Sequence, residues 1–224
     1  MSPPEGRMID LTHTLRVGMP SWPTHPSFGL ALMESVATGG VCCHHALSLG
    51  EHSGTHIDAP KHFLEQDGLP VDQIELEDFF GRMATILVTA AEPGALVGPD
   101  VLERWEAAHG AVASRDAVAF HFGWDRRFTA DPIGFLSGWP GLSRDLCEIL
   151  AARGVRLVAT DCISIDASDR DDYAAHHALL GAGILIGENF NNLGLLPPFC
   201  DVATLPLPIE GGTGAPIRAI AFLP

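Results

Sequence analysis

The chain has 224 residues, 46% of them apolar and 18% charged, a composition that excludes disorder and is enough to bury a sizeable core. Acidic residues number 28 against 13 basic ones, leaving a net charge of -15 with Lys61 as the sole lysine. Such a surface repels a phosphate backbone and an anionic bilayer, so neither nucleic acid nor membrane is expected as a partner.

Residues 1–40 are rich in Pro and Gly with short apolar pieces at 8–11 and 28–33, which reads as loops with brief strands at the rim of a site. Cys42 and Cys43 are adjacent, and the five cysteines show no CxxC spacing. A disulfide framework or zinc finger is therefore not expected, and a reducing compartment fits best. With no apolar leader in residues 1–10 and no run of about 18 apolar residues, a cytoplasmic location is expected.

Residues 84–90, Ala-Thr-Ile-Leu-Val-Thr-Ala, are predicted as a short buried strand. A helix follows, with Pro99 in its first turn, Leu102 and Trp105 on one face and Gly110 as its stop. Residues 117–122 read as a second core strand. Ser143 is the predicted N-cap of another helix, with Leu146, Ile149 and Leu150 inward and Gly154 at its end, leading into a strand at 155–160. Further strands are expected at 183–188, 201–207 and 217–222. The alternation argues for an α/β core with some parallel pairing, in which function gathers at the carboxyl ends of strands, where Asp161 falls. No internal repeat divides the chain, and residues 1–224 are taken as one domain.

The segment His52-Ser-Gly-Thr-His56-Ile-Asp58-Ala-Pro-Lys-His62 places four ligand or proton-transfer side chains within eleven residues. Gly54, Thr55 and Pro60 disfavour a helix, so the two histidines are not the one-face pair of a zinc protease helix. In an extended segment these even-numbered residues share one side, but a straight strand would hold His52 and His56 about 13 Å apart at ~3.3 Å per residue. Gly54 is therefore expected to bend the chain and bring them together. Two imidazoles and a carboxylate suit zinc or manganese, and three protein ligands leave a position open for water, made acidic enough to react near neutral pH. A second cluster, His176 on a predicted helix and Glu188 at the end of the next strand, is weak by itself; a helix-surface histidine and a structural ion pair explain it better. No Gly-x-Ser-x-Gly elbow supports serine-hydrolase chemistry.

The run from His52 to His62 matches every fixed position of His-x-Gly-Thr-His-x-Asp-x-Pro-x-His, and the chain thereby resembles the cyclase and kynurenine-formamidase-like metal hydrolases. Ile9-Asp-Leu-Thr, Trp22-Pro and Thr160-Asp-Cys-Ile-Ser-Ile-Asp166 extend the resemblance over nearly the whole chain. It implies an α/β architecture, a swivelling β/β/α cyclase-like domain with a mixed sheet, assembled as a homodimer or homotetramer. It also implies two divalent metals per chain, zinc first and manganese second. His52, His56 and Asp58 would hold one, with Asp58 bridging to another on His176 and Glu188. His62 would be the catalytic acid/base and Trp22 would contact substrate. Where many relatives read Pro-Gly-Asp-Pro, this chain reads Pro23-Thr-His-Pro26, and His25 is a candidate for the pocket wall.

The expected reaction opens the amide of an aryl formamide, or of a cyclic relative such as isatin, to a carboxylate. The competing readings are a cyclase or dehydratase of aromatic polyketide synthesis and a metal-binding protein without catalysis; retention of His62, which a metal does not require, argues against the latter. Thr55 is expected behind a ligand or in a turn, Phe63 in the core and Asp166 beside the site.

Overall fold

The computed structural model describes residues 7–88 and 91–223. The strands are β1 (Met8–Asp10), β2 (Gly29–Glu34), β3 (His44–Ser48), β4 (His56–Asp58), β5 (Phe80–Leu87), β6 (Leu96–Val97), β7 (Ala117–His121), β8 (Gly141–Leu142), β9 (Leu157–Thr160), β10 (Leu185–Glu188), β11 (Phe199–Pro206) and β12 (Gly214–Phe222). The helices are α1 (Pro99–His109), α2 (Arg127–Ala130), α3 (Pro132–Phe135), α4 (Arg144–Arg153) and α5 (Ala174–Gly181).

The expected order of strand, helix, strand, helix, strand is present as β5, α1, β7, α4 and β9, with the three strands parallel. Pro99 opens α1, and Leu102 and Trp105 are its buried residues. Ser143 caps α4, its hydroxyl accepting from Leu146 N, and Gly154 closes it in the left-handed region at φ 70°. β5 starts four residues earlier than the apolar run suggested, because Phe80 to Met83 pair with β11; Thr89 and Ala90, placed in this strand from sequence, lie outside the described residues. Helices α2 and α3, between β7 and α4, were not anticipated; Pro132 and short capped turns break them into pieces too brief for a periodic signal.

The main sheet is mixed and runs β1-β12-β11-β5-β7-β9-β10-β4. β4 also pairs with β12, so the sheet closes on itself through this three-residue strand. One core lies between the sheet and α1, α4 and α5, with Phe120, Leu146 and Ile186 fully buried. A second lies on the other side of the sheet around Ile57, Met83, Leu157 and Phe190. Apolar burial on both faces of β5, β7, β9 and β10 is what a parallel sheet requires. β2 and β3 form a separate two-stranded hairpin. No helix among the described residues is long and apolar enough to cross a membrane.

Candidate metal centre

The closure of the sheet determines which side chains meet. Alternation along β4 sends Ile57 into the core and turns His56 and Asp58 to the same side. The antiparallel ladder with β10 sets Glu188 directly opposite His56, leaving His56 Nε2 3.4 Å from Glu188 Oε2 and 3.3 Å from Asp58 Oδ1. Helix α5, which leads into β10, brings His176 Nε2 to 3.4 Å from both Asp58 Oδ2 and Glu188 Oε1. Gly54 takes φ +63°, the left-handed bend expected between the first two histidines. It carries His52 Nδ1 to within 2.6 Å of Asp58 Oδ1.

Hydrogen bonds behind the imidazoles fix which nitrogen faces inward. A carbonyl can only accept, so His56 Nδ1–H donates to Gly54 O at 2.8 Å and leaves Nε2 bare. Likewise His176 Nδ1–H donates to the Asp166 carboxylate at 2.6 Å, and Asp166 also accepts from the backbone N–H groups of Ala175 and His176 at the start of α5. The Thr213 hydroxyl donates to the Glu51 carboxylate, so its oxygen accepts from His52 Nε2–H at 3.0 Å. His52 Nδ1 faces Asp58 Oδ1. Carboxylate or backbone partners behind inward-facing imidazoles are the usual support of a metal site.

The charge balance leads to the same conclusion. His56 Nε2 and Asp58 Oδ2 are buried without a hydrogen-bond partner. Burial opposes charge on His56, yet the nearby carboxylates of Asp58 and Glu188 outweigh it and push the imidazole up to about 10. His176 behaves alike: burial is outweighed by Asp166 and Asp58, and it rises to about 10. Burial would raise Asp58, but His52, His176 and His56 hold it well below the usual carboxylate range. Two buried carboxylates thus demand positive charge in their midst. Three imidazole nitrogens and two carboxylates around unpartnered atoms fit a divalent cation.

His62 ends a single turn of 3-10 helix, Pro60–His62. Its ring stacks on His52 with centroids 3.9 Å apart and lies 6.1 Å from His176. Burial lowers His62 to about 4, so its imidazole is neutral at pH 7. A cleft of about 550 Å³ opens over these groups, its walls including Trp22, His25, Phe63, Ile163 and Tyr173.

His52, His56, Asp58, His176 and Glu188 thus lie together, with His62 stacked on His52 and Trp22 on the cleft wall. Phe63, expected in the core, lines the cleft and stacks on His176 at 4.6 Å, although it also packs against the core. Thr55 touches no imidazole; its hydroxyl donates to Asn189 O at 2.6 Å and accepts from His13 N at 2.9 Å, tying three segments together. Asp161, at the end of β9, accepts from Phe122 N and Trp124 N and braces the neighbouring loop. Sequence reasoning missed Glu51, Thr213 and Tyr173. Thr213 lies in Gly211-Gly-Thr-Gly214, which carries only the signal of a turn.

The family described as "Putative cyclase" matches residues 9–167. A kynurenine formamidase of Maricaulis maris is 33% identical over 217 residues, covering 96% of this chain and 97% of that protein. An isatin hydrolase of Roseibium aggregatum is 32% identical over 194 residues, covering 79% and 73% respectively. The crystal structure of an isatin hydrolase bound to the product analogue thioisatinate superposes with TM-score 0.92 at 28% identity, covering 98% of this chain and 93% of that one. Fold, donor set and relatives together define a metal-dependent amide hydrolase. The chain belongs to the cyclase family, on its kynurenine formamidase-like side.

Proposed function

We propose that the chain hydrolyses the amide bond of an aryl formamide such as N-formylkynurenine, or of the cyclic amide isatin, to a carboxylate. The observation that carries this reading is the meeting of His52, His56, Asp58, His176 and Glu188 at the floor of the cleft, with His56 Nε2 and Asp58 Oδ2 left unpartnered. We assign His52, His56 and Asp58 to one cation and His176 and Glu188 to a second, with Asp58 between them; zinc is the first candidate and manganese the second. Such ions, when bound, polarise a carbonyl and make water more acidic.

The chain's own groups supply the rest. Trp22, Phe63 and Tyr173 provide flat walls suited to an aryl ring. Buried and neutral, His62 takes a proton from the attacking water and returns one to the leaving nitrogen as the C–N bond breaks. Asp166 and Thr213 hold His176 and His52 in the required tautomers.

We further propose a single domain over residues 1–224 and a homodimer or homotetramer. The exposed side chains of Leu30, Leu32, Met33, Val36 and Leu47 on one hairpin support an assembled state, and five free thiols support a cytoplasmic location. Steady-state assays with N-formylkynurenine and isatin test the reading. Chelator-sensitive turnover of at least one is expected. No turnover of either above buffer containing the same ion would overturn it and favour ring-forming dehydration or metal binding alone.

A further inference from the structure

The hairpin of β2 and β3 carries chemistry that the cleft does not use. Its ladder runs regularly from Gly29 opposite Ser48 to Leu32 opposite His45, then shifts so that Glu34, not Met33, faces His44. This bulge turns the Glu34 carboxylate toward the same side as His44 and as Cys42, two residues before it. The Cys42 thiol donates to Glu34 Oε2 at 3.5 Å and its Sγ lies 3.7 Å from His44 Nδ1, while His44 Nδ1 is 3.7 Å from Glu34 Oε2. The other carboxylate oxygen of Glu34 accepts from Val41 N at 2.6 Å, which holds the group in place across the turn.

These separations are informative. An imidazole nitrogen and a carboxylate oxygen 3.7 Å apart are beyond hydrogen-bond range, and a thiol and an imidazole at 3.7 Å make at best a weak bond. Donors bonded to one zinc at about 2.0–2.3 Å in a tetrahedron are roughly 3.4–3.6 Å from one another. The three hairpin donors are spaced close to that, as are the nitrogens and oxygens 3.3–3.4 Å apart at the Asp58 centre. Sulfur, nitrogen and oxygen donors together select zinc over calcium or magnesium. A thiolate and a carboxylate also balance two positive charges.

We propose that Glu34 Oε2, Cys42 Sγ and His44 Nδ1 form a further, structural zinc site, separate from the Asp58 centre, with water completing the coordination. The Cys42 thiol loses its proton to solvent as the sulfur–zinc bond forms. The ion clips the two strands beside the bulge and so steadies a two-stranded hairpin, an element only marginally stable alone.

Cobalt(II) provides the test, because a thiolate ligand gives an intense near-ultraviolet charge-transfer absorption that nitrogen and oxygen ligands at the Asp58 centre do not. Reduced protein titrated with cobalt is expected to develop that band to the amplitude of one thiolate-bound ion per chain and to lose it on adding zinc. Cys42→Ser abolishes it, and His44→Ala and Glu34→Gln each weaken binding at least roughly tenfold, since even partners behind a ligand cost that much. Cys43→Ser, the only other exposed thiol removed, keeps the band. Circular dichroism and amide hydrolysis of Cys42→Ser are expected to match the wild type, which shows that the variant is folded. Absence of the band in wild-type protein, its survival in Cys42→Ser, or its loss in Cys43→Ser would overturn the proposal.

Discussion

Replacing Gly214 by alanine tests whether closure of the sheet creates the metal centre. Gly214 pairs with Asp58 across β12 and β4. A Cβ there would lie 2.5 Å from the Ile57 carbonyl oxygen and 2.7 Å from His52 Cε1. Neither neighbour is the loose end of a side chain: one is sheet backbone and the other a ring held between Asp58 and Thr213. Restoring an ordinary contact of about 3.4 Å requires the strands to separate by roughly 0.9 Å. Overpacking of this kind costs about 1–3 kcal/mol, which for a chain of this size lowers the melting temperature by roughly 2–12 °C. The effect on function is larger, because a misplacement of about 1 Å in a catalytic arrangement costs about 100-fold in rate. Calorimetry, metal titration and amide hydrolysis would be measured together. Gly181→Ala is the control: its Cβ would meet nothing within 4 Å, so metal affinity and turnover are expected to stay at the wild-type level. Wild-type metal affinity and turnover in Gly214→Ala would refute the argument that the β4–β12 contact sets the donor geometry.

His62→Ala is expected to retain metal while losing about 10²- to 10⁴-fold in turnover, whereas His52→Ala and Asp58→Ala lose metal as well; elemental analysis beside kinetics distinguishes the two. Asp166→Ala removes the acceptor behind His176 and is expected to weaken metal binding roughly 10–100-fold without entering the cleft, read by competition with a chelating dye. His13 gives a pH dependence. Burial lowers it from 6.5 to about 4, and its Nε2 has no partner, so the folded state binds fewer protons than the unfolded one. Its contribution to stability is intact above pH 6.5 and is lost as pH falls toward 4, by up to about 3 kcal/mol. Denaturant melts at pH 7 and pH 4.5 would show a smaller acid loss in His13→Leu; equal losses in variant and wild type would remove His13 from the acid limb.

How much could be read in the sequence followed from how local each feature was. The bend at Gly54 and the shared side of His56 and Asp58 depend on glycine and on strand alternation, both visible within eleven residues. The α1 and α4 boundaries were legible because Pro99, Gly110, Ser143 and Gly154 act on their own turns. The meeting of Glu188 with His56 depends on antiparallel pairing of strands more than a hundred residues apart, and only the family resemblance pointed to it. Asp166 and Thr213 reach the imidazoles through tertiary contacts that leave no periodic trace. β3 escaped notice because His44-His-Ala-Leu-Ser48 is exposed throughout and lacks the polar–apolar alternation of a half-buried strand.

Metal content of the dialysed Cys42→Ser protein, in which the hairpin thiol is removed, tests the central claim most directly when measured beside hydrolysis of N-formylkynurenine and isatin. Two equivalents per chain are expected, one in His176→Ala and none in Asp58→Ala, with turnover abolished by chelation and restored by the divalent ion. Unchanged metal content in Asp58→Ala, or hydrolysis that persists once the metal is gone, would contradict that claim.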